Sequence, residues 1–212
     1  KKNKPKIAIF REQGVNGHKE MANAFNLAGF DCYDVNTNDV IANPALLNEY
    51  HGLVACGGFS YGDVLGAGRG WANKIKYNHD ALNSLSKFFS DKNKFTLGVC
   101  NGCQMLSNLQ SIIPGSEHWP KFIKNNSNQF EARQVLVKIP KSNSMLFKDM
   151  HKSILPIIVS HGEGKISIKN KSSIKKAIMQ YVDSNGKYTE EYPYNPNGSL
   201  NGVTGFCNND GR

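Results

Sequence analysis

Apolar and polar positions alternate in short blocks along the first half of the chain. Lys6 to Phe10 is a compact apolar run after a lysine-rich lead-in, the pattern of a buried strand. A glycine-bearing turn follows, from Gln13 to Gly17. His18 to Ala28 then repeats its apolar positions at helical spacing, with Met21, Phe25 and Ala28 on one face and Gly29 as the stop. Cys32 to Val35 predicts a second strand, Ala45 to Glu49 a short helix introduced by Pro44, and Gly52 to Cys56 a third strand ending in Gly57 and Gly58. Trp71 to Lys76 and Ala81 to Phe89 read as helices. Thr96 to Val99 reads as a fourth strand, with Gly102 to Leu109 as the helix behind it.

This alternation predicts parallel βαβ units, hence an α/β fold with a doubly wound, mostly parallel sheet flanked by helices. Ligands of such sheets sit at the carboxyl ends of the strands. Three unusual loops, 11–17, 57–63 and 100–104, fall there. After Pro114 the rhythm changes. Arg133 to Ile139 and Lys165 to Lys169 alternate like half-exposed strands, and Ile178 to Val182 is another candidate. The second half is expected to add antiparallel strands beside or onto the same sheet, within one domain spanning residues 1–212. The first residue is lysine and the last five form a polar turn, which reads as a segment cut from a longer polypeptide.

Composition narrows the class. With 39% hydrophobic and 20% charged residues, the chain fits a globular protein rather than a disordered one. The longest apolar run, Ile154 to Val159, is too short to cross a bilayer, and no signal segment opens the chain, so a cytoplasmic protein without membrane contact is expected. The net charge of +9 is mostly dispersed lysine. Its densest cluster runs from Lys165 to Lys176 through Lys169, Lys171 and Lys175. It lacks interleaved aromatics or arginines, so a solvated face is expected and nucleic acid is not. Asn125-Asn126-Ser127 and Asn197-Gly198-Ser199 match the glycosylation acceptor but carry little weight without a secretory signal.

The chemistry concentrates at Thr96-Leu97-Gly98-Val99-Cys100-Asn101-Gly102-Cys103-Gln104. An apolar strand runs into a cysteine and a helix starts at once, with glycines two residues away on either side. Such a turn exposes a nucleophile on a strained backbone. The helix N-terminus favours a thiolate, and its first N–H, that of Asn101, can hold an oxyanion. Gly57 and Gly58 offer a second backbone donor with no side chain in the way. Rival readings of Cys100-x-x-Cys103 are weaker. A redox pair lacks the usual intervening proline, and zinc lacks a second ligand pair. Gly14-x-x-Gly17 lacks the middle glycine of a dinucleotide fingerprint.

At these residues the chain resembles the class I (triad) glutamine amidotransferases, through Gly98, Cys100, Gly102 and Gln104. Three stretches narrow the likeness: Cys56 to Asp63, Gly98 to Gln104, and Ser160-His161-Gly162-Glu163-Gly164. With Phe130 to Arg133 and Tyr194 to Ser199, they resemble the glutaminase domains of large single-chain phosphoribosylformylglycinamidine synthases. The resemblance implies hydrolysis of L-glutamine through a Cys100 thioester, with ammonia passed to a synthetase domain of the same longer polypeptide. It implies Gly57, Gly58 and Asn101 at the oxyanion hole, and Gln104, Ser160, His161 and Gly162 around glutamine, with Phe59 and Glu163 nearby. No cofactor and no metal are expected in this domain, whereas ATP and Mg belong to the synthetase.

One departure stands out. The family's Pro-His-Pro-Glu motif, which completes the triad, is absent from these 212 residues. His161 and Glu163 have the same spacing and would share a face if the strand continued through them. The other histidines, His18, His51, His79, His118 and His151, are expected away from the strand ends. Tyr61, Asp63, Arg69 and Trp71 are open candidates for the pocket or the synthetase contact. The competing classes are a protease or chaperone of the same fold and a non-catalytic partner-binding domain.

Overall fold

The computed structural model describes residues 4–62, 64–168, 174 and 176–212. The chain divides into two compact units, Lys1–Pro114 and Gly115–Arg212. Asp63, Lys169, Lys171 and Lys175 lie outside the described residues, so the basic-cluster reading rests there on the sequence alone.

The first unit is a parallel sheet of four strands in the order β2-β1-β3-β4. β1 (Lys6–Arg11) lies between β2 (Asp31–Asn36) and β3 (Gly52–Ala55), and β4 (Phe95–Gly98) pairs with β3. Ile7, Ala8, Ile9 and Phe10 are buried without alternation, as are all four residues of β3. Strands covered on both faces read as continuous apolar runs, which is why they were visible in the sequence. The helices are α1 (His18–Leu27), α2 (Thr37–Ala42), α3 (Ala67–Lys76), α4 (His79–Ser90) and α5 (Asn101–Asn108).

Two differences from the sequence expectation have local causes. α2 was missed because six residues show no periodicity. It is held instead by a capping box, in which the Asn36 side chain accepts from Asn38 N–H at 2.9 Å and Asp39 accepts from Asn36 N–H at 2.8 Å. The stretch after Pro44 closes as a short 3₁₀ turn, Leu46–Glu49. Trp71 is core rather than pocket. Its ring is fully buried 5.4 Å from that of Phe10, and its indole N–H donates to Thr37 Oγ1 at 2.8 Å.

In the second unit the antiparallel strands form sheets of their own. β6 (Glu131–Lys138) pairs with β7 (Ile154–His161) over eight residues and with β9 (Ala177–Val182), and β10 (Val203–Phe206) flanks β9. β5 (Lys121–Ile123) and β8 (Lys165–Ser167) make a separate ribbon. Val135, Val137, Val159 and Tyr181 form the core of the larger sheet. β7 escaped the sequence reading because Pro156 interrupts its pattern. Proline lacks the N–H that a central strand needs, and β7 is an edge strand.

Truncating the tryptophan tests how far the first unit depends on it. Trp71→Ala removes the largest fully buried side chain and takes the indole donor from the Thr37 hydroxyl, which keeps only its own bond to Arg11 O. We expect a loss of about 3–5 kcal/mol, read as a fall in the denaturant midpoint with the slope unchanged.

Candidate active site

Cys100 stands between the end of β4 and the first residue of α5, with no intervening loop. It takes φ 51° and ψ −113°, a left-handed conformation that side chains avoid. Such a residue costs about 1–3 kcal/mol and persists only where its surroundings fix it. The fixing is visible on both sides: Val99 N–H donates to Ala55 O at 3.0 Å, and Gly102 N–H donates to Cys56 O at 3.0 Å. α5 therefore starts pressed against β3. A methyl at Gly102 would fall 2.1 Å from Ala55 O, so only glycine fits. A methyl at Gly57 would stand 3.0 Å from Cys100 Cβ and 3.8 Å from its Sγ, which places the diglycine against the thiol.

The orientation of two N–H groups follows from bonds made by their neighbours. In a planar trans peptide the C=O of one residue points opposite to the N–H of the next. Gly57 O accepts from Gly17 N–H at 3.1 Å, so the Gly58 N–H points the other way. Cys100 O accepts from Gln104 N–H at 3.0 Å, so the Asn101 N–H points out of the helix start. Neither N–H has a hydrogen-bond partner among the described residues. The arrangement can hold a negative oxygen developing beside Cys100.

Asn101 does more than its backbone suggested. Its side chain, buried at the start of α5, donates to Gly58 O at 3.0 Å and Ser60 Oγ at 2.7 Å, tying the helix to the diglycine loop. Gly58 takes φ +143° in that loop. Gln104 is half-buried on α5 and packs over Gly68 of α3, and Phe59 is exposed, with its N–H on Gly14 O. Burial, then the neighbouring Cys100, pushes the Cys103 thiol up to about 12, and burial does the same to Cys56. Both stay protonated at neutral pH. Among the described residues no group of three or more His, Cys, Asp or Glu is placed to hold a metal ion.

One histidine was misplaced by the sequence reading. His18 opens α1 directly after the 12–17 turn, at the carboxyl end of the sheet. His51 also adjoins a strand, at the amino end of β3, where its Nδ1 accepts from Lys6 N–H at 3.2 Å. Arg69 is exposed on α3.

Ser160, His161, Gly162 and Glu163 belong to the second unit. Ser160 and His161 end β7, opposite Ala132 and Glu131. Glu163 lies past the strand, so the condition for a shared face with His161 is not met. The acid across from His161 is Glu131, buried and bound by Arg133 at 2.6 Å. Two asparagines shape this loop; the sequence showed Asn125 only as a glycosylation match and Asn197 as that and as part of the Tyr194 to Ser199 resemblance. Asn125 is 1% exposed; it donates to His161 O at 2.8 Å and accepts from Gly164 N–H at 2.9 Å. Asn197 is fully buried and donates to Gly164 O at 2.8 Å, while Ser199 Oγ accepts from Ile166 N–H. Neither amide is open to modification in the folded chain.

Two outcomes follow. Asn101→Ala leaves Gly58 O and Ser60 Oγ without their donor, and we expect a stability loss of about 1–3 kcal/mol in chemical denaturation. The second concerns pH. Burial lowers the His161 pKa below its ordinary 6.5, against smaller raising effects of its own backbone and the Glu131 charge. The unfolded chain then binds the proton first, so stability is full above about 6.5 and falls as pH drops toward the folded value. His161→Gln should flatten the acid limb of a plot of Tm against pH. Part of the slope remains, because burial and then Lys176 lower His118 likewise.

The CobB/CobQ-like glutamine amidotransferase domain model matches residues 4–212. Among solved structures, PurLQS from Thermotoga maritima is similar at TM-score 0.68 and 21% identity, covering 98% of this chain and 84% of that one. A glutamine amidotransferase from Thermotoga maritima matches at TM-score 0.43 and 16% identity, covering 79% of this chain and 64% of that one. At 21% identity the PurLQS structure speaks for the fold alone, whereas the family model spans nearly the whole sequence. The chain belongs to the family of CobB/CobQ-like glutamine amidotransferase domains.

Proposed function

We propose that Cys100 attacks the side-chain amide of L-glutamine and that this chain supplies ammonia for purine synthesis. In the first step a Cys100 Sγ–carbon bond forms, the carbon–nitrogen bond breaks, and ammonia leaves with the thiol proton. Water then cleaves the thioester, giving glutamate and the free thiol. The Gly58 and Asn101 N–H groups steady the oxyanion of each tetrahedral intermediate. The observation that carries this reading is the left-handed Cys100, set against Gly57 with two unpaired N–H groups beside it.

The acceptor is an ATP- and Mg-dependent synthetase that converts formylglycinamide ribonucleotide to formylglycinamidine ribonucleotide. The family motifs quoted above support it, as does the likeness in fold to PurLQS. Gln104 and Ser160 to Gly162 keep the glutamine-binding role that the resemblance implies, and a cytoplasmic setting goes with this pathway. These 212 residues contain no Pro-His-Pro-Glu. A thiol nucleophile without its general base loses orders of magnitude in turnover, so slow glutamine hydrolysis by this chain is part of the proposal.

Alkylation by a diazo-ketone analogue of glutamine, mapped by peptide mass, tests it. We expect modification at Cys100, suppressed by excess glutamine and lost in Cys100→Ser. Modification indifferent to glutamine would turn the reading toward a protease- or chaperone-like member of the fold. Complete inertness, together with no glutamate release, would leave a non-catalytic domain.

A further inference from the structure

Glu12 is 1% exposed at the end of β1, outside the set of residues assigned to the reaction. Its Oε1 accepts from the next residue, Gln13 N–H, at 2.9 Å and from Lys74 Nζ of α3 at 2.9 Å. Its Oε2 is buried and has no partner at hydrogen-bonding geometry. A buried charge with half its acceptor capacity unused is costly, and each such group in a folded chain calls for an explanation.

The explanation lies in what the turn behind Glu12 supports. Val15 N–H closes the turn on Glu12 O at 3.0 Å. Three backbone bonds then seat the diglycine loop on this turn: Gly17 N–H to Gly57 O at 3.1 Å, Phe59 N–H to Gly14 O at 3.2 Å, and Tyr61 N–H to Gln13 O at 3.1 Å. Tyr61 is the second left-handed residue of the site, at φ 53°, and its ring lies against Gly70 of α3. Burial first, and then Glu12, pushes its phenol up to about 12, so it remains protonated and is a ready donor for the Glu12 carboxylate. Lys74 closes the circuit. α3 carries it, and the same helix packs Gly68 against Gln104 and the Asn101 carbonyl of α5.

We propose that Glu12, paired with Lys74, is a positioning residue for the oxyanion loop, locking the 12–17 turn that holds Gly57 and Gly58 against Cys100. It touches neither the thiol nor the substrate, and acts through the backbone of the turn. Without the ion pair the turn can rotate, the Gly57 carbonyl loses its fixed partner, and the Gly58 N–H loses its direction. The catalytic side of this inference rests on the glutaminase reading above; its structural side does not.

The test therefore reads both. Amide hydrogen exchange is followed at Gly17, Phe59 and Tyr61 against Ile9 and Val54 in the strands, in the 212-residue chain and in Glu12→Gln. Alkylation by the diazo-ketone is resolved into its binding constant and its maximal rate. We expect at least tenfold faster exchange at the three loop amides with the strand amides little changed, and about a tenfold lower maximal rate at an unaltered binding constant. Lys74→Arg, which keeps the charge, should stay within about twofold of wild type. The double variant Glu12→Gln/Lys74→Met removes both charges; it should regain thermal stability while the rate stays low, and it serves if the single variant folds poorly. Equal acceleration of strand and loop amides, or recovery of the rate in the double variant, would reduce Glu12 to a stabiliser of the fold. Unchanged loop amides would overturn the proposal outright. A wild-type chain inert to the analogue would count against the glutaminase reading, while the exchange data still decide whether Glu12 holds the loop.

Discussion

The left-handed backbone at Cys100 is the constraint around which the first unit is arranged. A strand that passes into a helix within two residues must reverse its hydrogen-bonding direction there. The resulting strain is relieved only by groups that hold both sides of the turn. The end of β3 and the residue after it do this, Ala55 O accepting from Val99 N–H and Cys56 O from Gly102 N–H. Those two bonds bring α5 so close to β3 that no side chain fits at Gly102, and they set Gly57 directly against the thiol. The local stress of one residue thus dictates composition at positions more than forty residues away.

In the proposed reaction, holding the thiol is not enough, because the donors around it must also be aimed. In this unit aiming is done by carbonyls rather than by the N–H groups themselves. Gly17, Asn101 and Gln104 each engage a C=O whose peptide plane then directs an adjacent N–H. Such fixing is indirect but stiff, since a peptide plane cannot rotate without breaking the bond on its far side. The proposed oxyanion site is therefore as rigid as the turn beneath it, and rigidity set before a reaction is what makes such donors effective.

Much of this was legible in the sequence, for a physical reason. β1, β3 and the Cys100 turn depend on residues adjacent in the chain, so apolar runs and glycine spacing report them directly. Cys100 takes the strand-to-helix turn that the glycine spacing predicts, and Gly57 lies against it. What could not be read was carried by polar side chains that reach elsewhere. α2 rests on the Asn36 cap, the His161–Gly164 loop on Asn125 and Asn197, and the link from helix to loop on Asn101. An asparagine in a string of letters does not reveal whether it faces water or spans two buried backbones. β7 was hidden differently, because Pro156 obscured a pattern that its edge position tolerates. His18 was misjudged because a residue at a helix start also lies at the mouth of the strand before it.

The same distinction separates the three cysteines at the carboxyl end of the sheet. Cys56, Cys100 and Cys103 are equivalent in a residue count, and two of them even share a redox spacing. Burial pushes Cys56 and Cys103 to about 12, so each behaves as a small apolar group. Of the three, only Cys100 stands at the helix start, where N–H groups unpaired among the described residues could receive the oxygen of a carbonyl under attack in the proposed reaction. A dithiol couple needs two competent sulfurs, and Cys103 is kept from being the second by the same packing of α5 that holds Cys100 in place. On the proposed reading, the environment, rather than the number or spacing of thiols, marks out Cys100 as the nucleophile.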